Sequence, residues 1–303
     1  MIDQVNPKDY PGKDVYAVIG NPIAHSKSPL IHEIFAKQTN QAIHYGRIFS
    51  ELNDFKKTTL EFFECGGKGL NVTIPFKLQA YELAQHKTPR AQSAQAANML
   101  WVENGQLWCD NSDGEGLTRD LRRLFKERGV SLSGIHVLLL GAGGAAQGVI
   151  EPLIGAGVAS ISIANRTHEK AEALVQQFSG IASKAKMTIK VVSLTELSDP
   201  HTQPHAKYDL IINATATGLS DASPISKDVL KAIIHPDTLA YDMVYGKETC
   251  FMQDANELGI EATDGLGMLV EQAALAFETW RKLDLQKSPL DINGAITTVR
   301  ASY

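Results

Sequence analysis

The sequence contains few cysteines and no long run of apolar residues. Its three cysteines, Cys65, Cys109 and Cys250, are widely spaced and form no C-x-x-C pair. This spacing indicates neither a disulfide framework nor a zinc site, so we expect reduced thiols and no metal. The longest uncharged stretch, residues 131–150, is interrupted by glycines and is typical of a buried strand and turn, not of a membrane span.

Long blocks of lysine and arginine are also missing, and the net charge is -5. These features argue against nucleic acid or an anionic membrane as the main partner and favour a small molecule. The first twenty residues carry acids and prolines where a signal peptide needs a basic start and an apolar block. We therefore expect a cytoplasmic protein that is a monomer or a homodimer.

The 303 residues are 44% hydrophobic and 21% charged, which is enough for two globular domains. Hydrophobic patterning predicts two sets of alternating strands and helices. The first set contains the strands "VYAVIG", "IHYGRIF" and "GLNVTIP", and the second contains "HVLLL", "SISIANRT", "TIKVVSL", "DLIINATATGL" and "TLAYDMVY". Such alternation predicts an α/β fold with mostly parallel sheets covered by helices.

The stretch "GLNVTIPFK", residues 69–77, combines a strand pattern with a misplaced cation. Its alternation predicts Leu70, Val72 and Ile74 in the core and Thr73 on the opposite face. Pro75 ends the strand and starts a helix, so Lys77 lies in the first helical turn, where the helix dipole disfavours a positive charge. A solvated surface lysine and a lysine used for acid–base chemistry both fit this position.

A glycine-rich turn follows the first strand of the second set. It consists of Gly141, Ala142, Gly143, Gly144 and Ala145. Glycines at such a turn let the backbone approach a pyrophosphate, whose charge the N-terminus of the next helix then stabilises. Methyltransferases and non-catalytic nucleotide-binding modules use similar turns, so this turn alone predicts only nucleotide binding.

The end of the next strand distinguishes between dinucleotides. NAD-binding folds place an acidic residue there to hold the ribose 2′-hydroxyl, whereas NADP-binding folds use a cation for the 2′-phosphate. Here Asn165, Arg166 and Thr167 occupy the position, and Lys170 follows one turn later. An arginine suits a phosphate monoester through charge-assisted hydrogen bonds, so we predict NADP as the cofactor. A methyltransferase would require an acid at this strand end.

Eight motifs that follow one another between residues 15 and 275 resemble a known enzyme family. They are "VIGNPIAHSKSP", "GLNVTIPFK", "CDNSDGEG", "GAGGAA", "NRT", "INATATG", "YDMVY" and "DGLGMLVEQAA". Together they resemble the shikimate dehydrogenase family, whose NADP-dependent members interconvert 3-dehydroshikimate and shikimate in chorismate and aromatic amino-acid biosynthesis. The resemblance implies a substrate-binding α/β domain and a Rossmann-like NADP domain, with the active site in the cleft between them.

The same resemblance implies how the domains divide the chain. A matching glutamine, Gln272, lies in the last long helix, which must therefore pack back on the first domain. We expect residues 1–113 plus 265–303 to form the substrate-binding catalytic domain and residues 114–264 to form the NADP-binding domain.

The resemblance also implies which residues form the site. Lys77 and Asp113 match the catalytic pair, which supplies a proton after hydride transfer; the sequence leaves open which of them moves it. The implied substrate contacts are Ser26 and Ser28, which would hold the carboxylate, together with Thr73, Asn98, Tyr245 and Gln272. The implied contacts on the nicotinamide side are Asn213, Thr215, Thr217, Met243 and Gly265.

Four residues depart from the family pattern or leave a choice open. Gln95 and Met99 stand where the family usually has glycine and threonine, so the hydroxyl of that threonine is absent here. Asp110, three residues before Asp113, is either a second candidate acid or a structural acid at a strand end. In "DNSD", Ser112 replaces the usual threonine but keeps its hydroxyl.

Two alternatives remain within the same fold. One is a quinate/shikimate dehydrogenase that uses NAD, which Arg166 argues against because such enzymes tend to carry an acid at that strand end. The other is a non-catalytic nucleotide-binding sensor, which has no need for both Lys77 and Asp113.

Overall fold

The computed structural model of the protein describes residues 4–198, 207–217, 222–283 and 289–303. The chain divides into two compact units, one comprising the residues up to Gly116 together with Val270–Tyr303, and the other spanning Leu117–Leu269. These divisions lie a few residues after the predicted limits at residues 113 and 265, and each division falls inside a helix. None of the helices in the described ranges has the length and apolar character that crossing a membrane requires.

The first unit contains a mixed sheet covered by helices. Its strands are β1 (Asp14–Gly20), β2 (Ile43–Phe49), β3 (Gly69–Val72), β4 (His86–Lys87), β5 (Met99–Glu103) and β6 (Gln106–Asp110). Its helices are α1 (Ser28–Gln38), α2 (Phe55–Glu64), α3 (Lys77–Leu83), α4 (Pro89–Ala94), the start of α5 (Asp113–Glu127), the end of α11 (Leu266–Arg281) and α12 (Ile292–Arg300), and a 3-10 helix covers Pro7–Asp9.

The described strands of this sheet follow the order β2-β1-β3-β5-β6-β4. Strand β1 pairs in parallel with β2 and β3, and β4 pairs in parallel with β6, whereas β5 runs antiparallel to both of its neighbours. The β5–β6 hairpin was not predicted from the sequence. Its signal was the pair Asn104 and Gly105, which both take positive φ angles in the two-residue turn that joins the strands.

Strand β3 differs from the predicted half-buried strand. It lies between β1 and β5, and all four of its residues are buried, including Asn71. The prediction that Ile74 belongs to the core is wrong, because the strand ends at Val72 and the turn that follows leaves Ile74 66% exposed. Leu70 and Val72 do lie in the core, as predicted.

The second unit is a doubly wound parallel sheet. Its strands are β7 (His136–Leu140), β8 (Ser160–Ala164), β9 (Thr188–Val191), β10 (Leu210–Asn213), β11 (Leu239–Asp242) and β12 (Glu261–Asp264). Besides the end of α5 and the start of α11, its helices are α6 (Gly144–Gly155), α7 (His168–Lys184), α8 (Leu194–Ser198), α9 (Lys227–Ile233) and α10 (Cys250–Glu257).

The order of the described strands in this second sheet is β12-β11-β10-β7-β8-β9, and every pair is parallel. Counted along the chain from β7, this is the order 3-2-1-4-5-6 of dinucleotide-binding folds. In such sheets the ligand binds beyond the carboxyl ends of the strands, at the point where the winding direction reverses. That point lies between β7 and β10, and the predicted α/β class with a Rossmann-like unit is confirmed.

A buried aromatic cluster packs α1 and α11 onto the first sheet. The His32 ring stacks on Tyr45 at a centroid separation of 4.0 Å and lies beside Trp280 and Phe277. Neither ring nitrogen of His32 has a partner of hydrogen-bonding geometry among the described residues. Burial lowers the pKa of His32 to about 3, and the neighbouring Asn71 side chain offsets only part of this effect.

This buried histidine predicts a specific loss of stability in acid. In the unfolded chain a histidine takes up its proton near pH 6.5, whereas the folded protein binds it only near pH 3. Stability therefore falls as the pH falls through this window, by about 1.4 kcal/mol per pH unit. The variant His32→Phe keeps an aromatic ring but cannot titrate, so urea unfolding should show it gaining about 3 kcal/mol on the wild type between about pH 6.5 and pH 4. Stability curves that stay parallel would contradict this prediction.

Gly265 generates a second prediction, because it has no room for a side chain. It follows β12 and donates its N–H to the Val244 carbonyl at 3.1 Å. A Cβ at this position would lie 2.5 Å from the carbonyl oxygen of Met243, so the backbone around Met243 would have to shift. Thermal denaturation of Gly265→Ala should show a loss of about 1–3 kcal/mol.

The matched control for Gly265 is Gly180, which lies inside α7 with open space where a Cβ would be placed. Alanine stabilises a helix interior relative to glycine, so Gly180→Ala should gain about 0.5–1 kcal/mol. Equal effects of the two substitutions would show that the contact with Met243 does not restrict residue 265.

Candidate active site

Lys77 and Asp113 face each other from the first residues of two helices. Lys77 lies in the first turn of α3, as predicted, although the helix begins at Lys77 and not at Pro75; Asp113 is the first residue of α5. Lys77 Nζ donates to Asp113 Oδ2 at 2.5 Å, and the two side chains remain 32% and 23% exposed. The helix dipole favours the carboxylate at a helix N-terminus and disfavours the ammonium, so their pairing offsets the unfavourable position of Lys77.

Asn98 connects this ion pair to the rest of the first unit. Its side-chain nitrogen lies 2.8 Å from Asp113 Oδ1, 2.9 Å from Ser112 Oγ and 3.3 Å from Gln272 Oε1, so two hydrogens are shared among three acceptors. The Asn98 side-chain oxygen accepts the Ser112 N–H at 2.8 Å. The structure therefore brings together four predicted residues, Lys77, Asp113, Asn98 and Gln272.

The backbone around Asn98 is held as firmly as its side chain. Its carbonyl accepts the Val72 N–H at 2.8 Å and the Asn71 side-chain amide at 3.1 Å, and its own N–H donates to the Asp110 carbonyl at 3.0 Å. The Lys77 carbonyl accepts the N–H of the neighbouring Ala97 at 2.9 Å. These contacts fix the Lys77–Asp113 pair relative to the C-terminal end of β3.

Several supporting residues were not predicted from the sequence as partners of the pair. The Asn71 side chain donates to the main-chain carbonyl of Asn98, and the Asn111 side chain accepts the N–H of Asp113. The Ser112 N–H donates to the side-chain oxygen of Asn98. The only available signal was their position inside the "NVT" and "DNSD" motifs, since polar side chains there would otherwise be interpreted as loop residues.

Asp110 is a structural acid and not a second candidate for proton transfer. It is buried at the end of β6, where it accepts hydrogen bonds from the Arg90 guanidinium and from Thr88 Oγ1, the latter at 2.5 Å. Thr88 also caps α4 by accepting the N–H of Ala91. Asp110 therefore anchors the start of α4 instead of facing the Lys77–Asp113 pair.

Ser26 and Ser28 lie together at the start of α1. Ser26 Oγ is 3.3 Å from Ser28 Oγ and also accepts the Ser28 N–H at 3.3 Å. The N-terminal end of a helix favours an anion, so this position suits a carboxylate. Thr73 is half-buried directly after β3 and forms no side-chain hydrogen bond with any residue that the structure describes.

The two departures from the family pattern occupy different environments. Gln95 ends α4 with a φ of 50°, in the left-handed region that favours glycine, which explains the glycine usual at this position. Met99 begins β5 and is fully buried, so its side chain serves packing in the first unit.

The predicted cofactor residues of the second unit meet at one edge of its sheet. In the strand register, the last residues of five neighbouring strands are aligned: Leu140, Ala164, Asn213, Asp242 and Asp264. The residues that follow these ends include Gly141, Asn165, Met243 and Gly265. The structure thus places these candidates along the carboxyl edge, on both sides of the point where the winding reverses.

The glycine turn fits a pyrophosphate in its local geometry. Gly141 has a φ of 112°, which a residue with a side chain rarely adopts, and it leads into α6, which begins at Gly144. A Cβ on Gly143 or Gly144 would meet no atom within 4 Å, so the space above the turn is open. Open space above the unpaired N–H groups of a helix start suits a phosphate group, as the sequence predicted.

The end of β8 presents cationic and polar groups to solvent. Arg166, Thr167 and Lys170 are exposed, and the Asn165 side chain donates to the Thr167 carbonyl at 2.7 Å, which shapes the turn. Within the described ranges no carboxylate lies within ion-pair distance of Arg166 or Lys170. Two unpaired cations at this strand end fit a 2′-phosphate better than a free ribose hydroxyl.

The "INATATG" residues serve first to shape their own loop. Asn213 is fully buried, and its side chain donates to Asp242 Oδ2 at 3.0 Å while its oxygen accepts from Thr215 Oγ1 at 2.7 Å. Thr215 and Thr217 are joined through their hydroxyls at 2.7 Å.

Tyr245, predicted as a substrate contact, belongs to the second unit; it is 40% exposed, and partial burial raises its pKa.

Known protein families match three parts of the chain. Residues 18–100 match the substrate binding domain of shikimate dehydrogenase, residues 123–230 match shikimate / quinate 5-dehydrogenase, and residues 265–285 match the C-terminal domain of shikimate 5′-dehydrogenase.

Relatives of similar length match nearly the whole chain. The shikimate dehydrogenase (NADP(+)) of Marinobacter nauticus is 47% identical over 272 residues, covering 88% of this chain and 93% of that protein. The protein of the same name from Janthinobacterium sp. is 49% identical over 272 residues, covering 89% of this chain and 93% of the relative.

Solved structures agree with this match. An Ael1 enzyme from Pseudomonas putida superposes with a TM-score of 0.81 at 40% identity, covering 95% of this chain and 98% of the other. Shikimate 5-dehydrogenase from Thermus thermophilus, solved in complex with NADP(H) and shikimate, has a TM-score of 0.79 at 29% identity, with 96% and 100% covered. The chain therefore belongs to the shikimate dehydrogenase family.

Proposed function

We propose that this protein is an NADP-dependent shikimate dehydrogenase, which reversibly reduces 3-dehydroshikimate to shikimate in chorismate and aromatic amino-acid biosynthesis. The observation that carries the proposal is the contact between Lys77 and Asp113, supported by Asn98 and Gln272, in a chain nearly half identical to enzymes of that name. A proton-transfer pair of this kind serves a reaction in which a ketone becomes an alcohol.

In this proposal the hydride comes from the nicotinamide of bound NADPH, and the residues of the chain manage the charge that follows. Both oxygens of Asp113 already accept hydrogen bonds, Oδ1 from Asn98 and Oδ2 from Lys77, so the carboxylate orients the Lys77 ammonium as the proton donor. The ammonium has further N–H groups with which to bond the developing alkoxide and to donate a proton to it. In the oxidation direction the neutral amine takes the proton from the substrate hydroxyl.

The remaining candidates bind substrate and cofactor in this proposal. Ser26 and Ser28 hold the substrate carboxylate with neutral donors, helped by the start of α1, and Thr73, Asn98, Tyr245 and Gln272 bind its oxygens. The turn Gly141–Ala145 binds the pyrophosphate. Arg166 and Lys170 bind the 2′-phosphate, which makes the enzyme specific for NADP.

A quinate/shikimate dehydrogenase is the second candidate, because the family matched by residues 123–230 is described as shikimate / quinate 5-dehydrogenase. The two candidates differ in whether quinate is also oxidised and whether NAD replaces NADP. Absorbance of the reduced nicotinamide, with shikimate and then quinate under each cofactor, distinguishes them directly. Rapid oxidation of shikimate with NADP and slow oxidation of quinate with NAD is the result expected here, and no turnover of shikimate would overturn the proposed function.

Lys77→Ala tests the chemistry in the same assay. Loss of a general acid–base group should lower kcat for shikimate oxidation by about 10²-fold or more, while KM for shikimate changes much less. Lys57→Ala is the matched control, since Lys57 is exposed on α2 and pairs only weakly with Glu61 at 3.9 Å. A kcat for Lys77→Ala close to that of the control would exclude the assigned role.

Arg166→Ala tests the cofactor preference. Loss of charge-assisted hydrogen bonds to a phosphate should raise KM for NADP by about tenfold or more and leave KM for NAD nearly unchanged. Lys184→Ala, at the far end of α7, the helix that follows Arg166, controls for the loss of an exposed positive charge. If KM rises equally for both cofactors, the 2′-phosphate does not bind at Arg166.

A further inference from the structure

Strand β2 supports the loop that carries Ser26 and Ser28 through an arginine. Arg47 donates from both Nε and Nη2 to the main-chain carbonyl oxygen of Ser26, at 3.2 Å and 2.6 Å. Two donors of a rigid planar group on one oxygen define the direction of that carbonyl, and therefore the orientation of the peptide that bears the Ser26 hydroxyl. None of the sequence motifs singled out Arg47.

Arg47 is also a cation without an acidic partner. Among the residues that the structure describes, no carboxylate lies within ion-pair distance of its guanidinium, although the group is half-buried. A half-buried charge normally pairs with one of opposite sign, because partial removal from water is costly. The positive charge beside Ser26 is therefore left available to an anion that binds at the start of α1.

Tyr45, on the same strand, supplies no countercharge for Arg47. Tyr45 and Arg47 are two residues apart on β2, so their side chains point to one side of the sheet. The Tyr45 hydroxyl donates to Asn71 Oδ1 at 2.7 Å. Burial raises the pKa of the Tyr45 hydroxyl well above its usual value, so this group stays neutral and supplies no negative charge to Arg47.

The other cation of the loop is already engaged. Lys27 stands between the two serines, but its Nζ donates to the Ser302 carbonyl at 2.8 Å and lies 4.5 Å from the centre of the Tyr303 ring. Arg47 is therefore the cation that contacts the serine loop without such a competing partner.

We propose that Arg47 is a positioning residue for the substrate carboxylate: it fixes the Ser26 peptide and places an unpaired positive charge beside the hydroxyls of Ser26 and Ser28. This inference rests on the proposed function, because it takes those two serines as the carboxylate-binding donors. It explains how two neutral hydroxyls retain an anion and still release it in each catalytic cycle.

The test compares the steady-state kinetics of shikimate oxidation in Arg47→Met, Arg47→Lys and the wild type. Arg47→Met should raise KM for shikimate by about tenfold, leave KM for NADP within about twofold, and change kcat by less than about threefold. Arg47→Lys keeps the charge but not the two-pronged geometry, so its KM should fall between the two. Circular dichroism and thermal denaturation of each variant check that the fold is retained.

The control variant is Arg128→Met. Arg128 also donates from its guanidinium to a main-chain carbonyl, that of Asp237 at 2.8 Å, but it belongs to the second unit. Its KM for shikimate should match the wild type. If neither the wild type nor Arg128→Met oxidises shikimate, the proposed function is wrong. If both oxidise it normally, a raised KM in Arg47→Met is due to the loss of Arg47.

A substrate without the carboxylate charge separates positioning from general damage. The uncharged amide of shikimate should bind poorly to the wild type, and Arg47→Met should raise its KM by no more than about threefold. An equal rise for acid and amide, a KM for shikimate in Arg47→Met within about twofold of the wild type, or full wild-type kinetics in Arg47→Lys would each overturn the inference. If Arg47→Met does not fold, Arg47→Lys alone tests the inference: a KM for shikimate above that of the wild type supports it, and a wild-type KM overturns it.

Discussion

The candidate site of the first unit depends on the hydrogen bonds of one side-chain amide, that of Asn98. Its nitrogen holds one oxygen of Asp113, which leaves the other oxygen to Lys77, and its oxygen holds the Ser112 N–H. Because the same nitrogen also reaches Gln272, a residue 174 positions away in the chain is tied to the ion pair. Without this amide, a flexible lysine and a partly exposed carboxylate would form only a weak surface salt bridge.

The second unit depends on a different constraint, the parallel register of its sheet. Since the carboxyl ends of neighbouring parallel strands are aligned, the residues that follow them meet along one edge regardless of their separation in the chain. Gly141, Asn165 and Gly265 come together in this way. Gly265 also has no space for a Cβ beside Met243, so the backbone that follows β12 packs closely against the backbone that follows β11.

The sequence predicted individual elements of both units where the local signals were clear. The strand β2 was predicted with its observed limits, and Lys77 was placed at a helix start because Pro75 precedes it. The prediction failed at Ile74, because the alternation of apolar and polar residues continues in the sequence beyond Val72, where β3 ends. It also missed the hairpin at Asn104, although an Asn-Gly pair is a strong local signal for such a turn.

The sequence by itself determined the α/β class, the glycine turn and the identities of the ionisable residues, because periodicity, turn chemistry and side-chain type are local properties. Only the tertiary structure decided the partners of those residues. That Asp113 shares its two oxygens between Lys77 and Asn98, that Asp110 is buried against Arg90, and that Arg47 supports the serine loop all depend on contacts between distant segments. Such contacts arise when buried polar groups must find partners within the packed fold, and no pattern along the chain records which partner each one meets.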